Sequence, residues 1–176
     1  MKKIIGGILG IALSLFGASN NPDTKVISNF DLERYLGRWY EIGRLDHRFE
    51  RNLSNVTATY SMRDDGKVAV LNRGYNVKKD RWSTARGRAR FAGAENEGRL
   101  EVSFFGPFYA GYHIIYLSEN YDFALVGGDS PNYMWILARE PKLDAATIDK
   151  LKDLAKQRGY DLSEYNTVPQ DRPQPD

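Results

Sequence analysis

Between Trp39 and Arg139 the chain repeats one pattern: seven to eleven residues of alternating or β-rich sequence, then a short polar break. Val56-Thr57-Ala58-Thr59-Tyr60-Ser61-Met62 places Val56, Ala58, Tyr60 and Met62 on one face, the period of a strand buried on one side. Asp64-Asp65-Gly66 reads as a tight hairpin turn, because its glycine can take the positive φ that such turns require. The same reading gives strands over 39–45, 56–62, 67–76, 81–91, 98–105, 111–118, 121–128 and 133–139, with Glu119-Asn120 and Asp129-Ser130-Pro131-Asn132 as hairpin links. Eight strands joined in this way make an up-and-down antiparallel barrel or a sandwich.

The flanks differ from this core. Phe30 to Leu36 predicts a short turn of helix capped by Asn29 or Asp31. Asp144 opens the one long helix, with Ile148, Leu151, Leu154 and Ala155 on a single stripe and Arg158-Gly159 as its stop. One apolar stripe packs a helix on the outside of a sheet. Residues 160–168 predict a final short strand, and 169–176 a loose, proline-rich tail. At the other end, Lys2-Lys3 followed by an uncharged run to Phe16 and small residues at 17–19 reads as a secretory signal over 1–18, then a polar tether over 19–29. The folded domain is expected over 30–168.

Charge and residue types exclude several functions. The chain has 25 basic and 23 acidic side chains, and the signal holds Lys2 and Lys3 and no acid, so the remainder is balanced. That leaves no excess for neutralising nucleic-acid phosphates. The clusters Lys78-Lys79-Asp80-Arg81 and Arg86, Arg88, Arg90 read as solvated strand faces, with contact to an anionic membrane surface as the alternative. The absence of cysteine excludes disulfides and thiol chemistry. Only two histidines occur. Asp46 and His47 are adjacent and point to opposite sides of an extended chain, so the carboxylate is badly placed to orient the ring. His113 reads as a satisfied wall residue. No nucleophile elbow, zinc spacing or phosphate cradle is present, and no cofactor or metal is expected.

The stretch YLGRWYEIGRLDHRFERN, residues 35–52, resembles the first signature of the lipocalin family, here Gly37-Arg38-Trp39 at the start of the first strand. Asn120-Tyr121-Asp122-Phe123-Ala124-Leu125-Val126 resembles the second. Arg139 is placed for the family's arginine that packs across the tryptophan. It shares parity with Tyr133, Trp135 and Leu137. Guanidinium over indole gains cation–π attraction. The resemblance therefore implies an eight-stranded calyx with an outer C-terminal helix, closed at one end by Gly37, Trp39 and Arg139. It is narrower still: YLGRWYEIGRLDHRFERN, VTATYSMRDDGKVAVLNRGYN and VSFFGPFYAGYHIIYL are similar to bacterial outer-membrane lipocalins and their relatives apolipoprotein D and temperature-induced lipocalin. The resemblance implies fatty acids or lysophospholipids as cargo and, from the bacterial members, anchoring through a lipid-modified cysteine. Leu15-Phe16-Gly17 looks like the run before that cysteine, but Ala18 stands in its place. Ordinary signal cleavage and a replaced cysteine both fit.

By parity and aromatic content, the expected ligand wall is Val56, Ala58, Tyr60, Val70, Phe105, Tyr109, Tyr116, Trp135 and Leu137. The FFGPFY segment, 104–109, is expected to fold over the cavity with Tyr109 reaching a headgroup, and its rival use is dimerisation. The alternative function is an envelope interaction module with a filled cavity, acting as a homodimer or at a membrane surface.

Overall fold

The computed structural model describes residues 21–175. The expected signal and the start of the tether lie outside them. Eight antiparallel strands follow in order: β1 (Gly37–Leu45), β2 (Leu53–Met62), β3 (Val68–Asn76), β4 (Arg81–Phe91), β5 (Arg99–Phe105), β6 (Phe108–Leu117), β7 (Phe123–Gly127) and β8 (Met134–Ala138). Each pairs with its sequence neighbour, and β1 pairs with both β8 and β2, so the sheet closes on itself. The sandwich alternative falls away. The short helix α1 (Leu32–Tyr35) is capped by Asp31, whose carboxylate accepts from the Arg34 N–H, and precedes β1. The long helix α2 (Ala145–Gln157) starts on Asp144, which accepts from the Thr147 N–H.

Two apolar clusters divide the molecule. The inner one gathers Trp39, Tyr60, Val68, Val70, Leu100, Ile114, Val126 and Leu137 with Tyr35 and Phe30 from the α1 segment. The outer one places Ile42, Ile115, Leu125, Met134 and Ile136 beneath Leu151 and Ala155 of α2. Alternation along β7 and β8 thus feeds both faces, as a barrel covered by one helix requires.

The barrel wall has a seam. β1 pairs with β2 only from Gly37 to Tyr40, and beyond that the same edge pairs with β9 (Tyr165–Thr167) over Gly43 to Leu45. Gly43 is needed there, since a Cβ would lie 2.0 Å from the Tyr165 hydroxyl. The wedge between β1 and β2 is then filled by the C-terminal segment. Gln170 Nε2 donates to the carbonyls of Glu41 and Val56, one on each strand, at 2.9 and 2.8 Å. Asn55, fully buried with φ of 53°, accepts from the N–H groups of Asp171 and Arg172 and donates to the Asp171 carboxylate. The segment expected to be loose is therefore a strap along the seam. Likewise the expected tether is hydrogen-bonded: Ile27 donates to Ile114 and accepts from Gly98.

Candidate functional site

Up-and-down order places the β2–β3, β4–β5 and β6–β7 turns at one end, together with α1. That end is sealed. Trp39 is fully buried, its indole donates to the Tyr35 carbonyl at 2.8 Å, and the Arg139 guanidinium stands 4.0 Å from its ring. Arg139 also donates to four carbonyls, those of Arg34, Leu36, Arg38 and Tyr121, at 2.7, 2.8, 3.1 and 3.2 Å. Gly37, at φ of 93°, leaves room for this, because a Cβ there would meet Arg139 Nη1 at 3.3 Å. Above the floor, Tyr112 shares hydrogen bonds with Tyr35 at 2.7 Å and Tyr60 at 2.9 Å. Burial pushes the acidity of all three hydroxyls well down, so they remain neutral donors and acceptors.

Ala58, Val102, Phe104, Tyr112 and Trp135 belong to the inner cluster yet stay only half-buried. These inward-facing groups keep partial contact with solvent and form the wall of the calyx. Two surface clefts lie elsewhere, one of about 470 Å³ between the strap and Arg38, Tyr40 and Arg73, the other of about 630 Å³ beside Tyr116 and α2. Neither is lined by a residue of the inner cluster, and the inward-facing groups of that cluster make the calyx the candidate site.

Of the expected wall residues, Val56, Ala58, Tyr60, Val70, Trp135 and Leu137 lie on the inner face. Three do not. Register slips between Ile114 and Tyr116, a bulge that turns Ile115 and Tyr116 both outward beneath α2. Tyr109 alternates with Ala110, which pairs with the inner Val102, and so stands outside, where its hydroxyl accepts from Arg88 Nε at 2.8 Å and Arg90 covers its ring at 4.0 Å. Phe105 is 76 % exposed at the rim; only Phe104 of that segment turns inward. The aromatic segment therefore splits between wall and rim instead of folding over the cavity.

The mouth carries a polar cluster that parity missed. A bulge between Glu41 and Gly43 returns Arg44 to the inner face beside Trp135. Arg44, 1 % exposed, bonds Glu41 at 2.6 Å and donates to the carbonyls of Glu50 and Leu53 at 2.7 and 3.0 Å, tying the 46–52 loop to β1. Glu50 accepts from the Trp135 indole at 2.9 Å. His47 Nε2 lies 2.7 Å from Glu50, an ion-pair distance without the alignment of a directed hydrogen bond. Asp46 instead pairs with Arg51. Burial and the Glu50 charge raise the Glu41 pKa well above the usual carboxylate range, against the pull of Arg44. Burial also pushes Glu50 upward, but contacts from His47, Trp135 and Arg44 outweigh it and leave that carboxyl below its ordinary value. The one available signal was a charge at 41 on the parity of Trp39. His113 is buried on the outer face and faces Asp129 at 2.8 Å, fixing the 128–133 loop.

Known proteins resemble this chain in sequence and in fold. Residues 30–170 match the model of a lipocalin-like domain. The chain is 46 % identical over 158 residues to the outer membrane lipoprotein Blc of Vibrio cholerae, covering 89 % of this chain and 92 % of that one. It is 49 % identical over 145 residues to Blc of Escherichia coli, covering 82 % of each, and 32 % identical over 166 residues to temperature-induced lipocalin-1 of Arabidopsis thaliana, covering 86 % of each. Among solved structures, insecticyanin from the tobacco hornworm superposes with a TM-score of 0.67 at 21 % identity, over 84 % of this chain and 85 % of that one. A closed calyx floored by Gly37, Trp39 and Arg139, with this breadth of similarity, makes the chain a member of the lipocalin family.

Proposed function

We propose that the protein binds and carries amphipathic lipids, fatty acids or lysophospholipids, in the bacterial cell envelope, without catalysis. The observation that supports this is the half-buried inner wall of Ala58, Val102, Phe104, Tyr112 and Trp135 above a sealed floor. An acyl chain burying about ten methylenes there would gain about 8 kcal/mol, the scale of a micromolar Kd before the cost of fixing the ligand. Placement in the envelope rests on the signal-like residues 1–18 and on relatives named outer membrane lipoproteins. Native mass spectrometry of the purified protein, followed by lipid extraction, tests the reading. Co-purifying acyl lipid supports it, whereas a protein that neither retains nor takes up any acyl ligand removes it.

A further inference from the structure

The barrel's other end gathers the connections β1–β2, β3–β4, β5–β6 and β7–β8, and among the described residues it carries most of the exposed large apolar side chains. Phe49 is 63 % exposed, Val77 55 %, Phe105 76 % and Phe108 77 %. These come from three different connections, two of them joined by the Val77 N–H donating to the Asn52 carbonyl. Exposed aromatic groups gathered at one end, not scattered singly, mark a contact surface.

The charges around them indicate what is contacted. Every acidic side chain of these connections is engaged within the protein. Asp46 pairs with Arg51, Glu50 turns inward to Trp135 and His47, Asp80 accepts from Tyr75, and Asp129 accepts from the Gly111 N–H beside His113. Four of the cations are not. Among the described residues, Arg48, Lys78, Lys79 and Arg81 enter no ion pair. A rim of exposed phenylalanines ringed by uncompensated cations matches an anionic bilayer surface, where the rings enter the headgroup boundary and the cations meet lipid phosphates. A second copy fits poorly, because apposed rims would set these cations against each other.

We infer that the open rim of the calyx docks onto anionic phospholipid membranes through Phe49, Val77, Phe105 and Phe108, with Arg48, Lys78, Lys79 and Arg81 supplying the attraction. This deepens the carrier reading, since a docked mouth faces the lipids a carrier would exchange, yet docking itself needs no cargo. Sedimentation of the full chain with vesicles of phosphatidylglycerol and phosphatidylethanolamine, against vesicles of phosphatidylcholine alone, tests it. The wild type is expected to bind the anionic vesicles and to weaken with salt. F105S/F108S and K78E/K79E are each expected to lower binding about tenfold or more, with unchanged circular dichroism. Absence of binding to anionic vesicles, or binding that both double variants leave intact, overturns the inference. So does a dimer in sedimentation equilibrium that F105S/F108S dissolves while vesicle binding is absent, which would give the rim to a second copy. Lipid retention measured on the same samples by native mass spectrometry judges the carrier reading separately.

Discussion

Truncating Arg139 to alanine removes one guanidinium that serves four carbonyls and the Trp39 ring at once. A hydrogen bond to a charged donor contributes about 1.5–3 kcal/mol where it is buried. Arg139 is only partly buried and two of its four bonds are exposed, so about 0.5–1 kcal/mol for each is the apt scale. The indole contact adds about 1 kcal/mol. Arg139→Ala should therefore cost about 3–5 kcal/mol in urea unfolding followed by circular dichroism. Arg139→Lys keeps a charge over the indole but cannot fork to four acceptors, and about half of that loss should remain. In a double-mutant cycle with Trp39→Phe, the two positions should couple by about 1 kcal/mol, because the ring and the guanidinium are in direct contact. A loss below about 1 kcal/mol for Arg139→Ala, or strict additivity with Trp39→Phe, would refute the view that these two side chains form one floor.

Asn55→Ala should remove the anchor of the strap and place alanine at a positive φ; a cost of about 3 kcal/mol lowers Tm by roughly 6–12 °C and speeds amide exchange in 169–175. Glu50, held below the ordinary carboxylate pKa, contributes stability that is complete above that ordinary value and is lost as pH falls through its lower folded value; Glu50→Gln should flatten this acid limb in urea midpoints and abolish the low-pH change in Trp135 emission. Glu41 acts in the opposite sense. Its raised pKa gives stability that is present below the ordinary value and declines as pH rises through the folded one, so the limb that Glu50→Gln leaves behind should slope the other way.

The strands were legible because their alternation survives along most of each run. β4 has the bounds that the sequence predicts, and the floor followed from the resemblance of Gly37-Arg38-Trp39 to the lipocalin signature, with which the parity of Arg139 agrees. Parity failed where the backbone gains a residue. The bulges at Glu41/Gly43 and Ile114/Tyr116 carried Arg44 inward and Tyr116 outward, and nothing in the local composition announces a bulge. Tyr109 was misplaced because aromatic content was given more weight than its alternation with Ala110. The strap was missed for another reason: a polar, proline-rich tail reads as loose until a distant groove satisfies its backbone, and Asn55 lies 116 residues away from Asp171. The polar mouth around Arg44 and Glu50 depends on the 46–52 loop folding back onto Arg44 and Trp135, a tertiary event without a local pattern.

The claim on which the account turns is that the inner wall around Ala58 and Trp135 borders free space able to take an acyl chain. Calorimetric titration of delipidated protein with oleate, in wild type and Ala58→Phe, addresses it directly. The account predicts saturable one-to-one binding with a Kd on the order of micromolar that Ala58→Phe weakens at least about tenfold, because the added ring occupies ligand space. No saturable heat, or equal affinity in the two proteins with native-like near-UV circular dichroism in both, would contradict it.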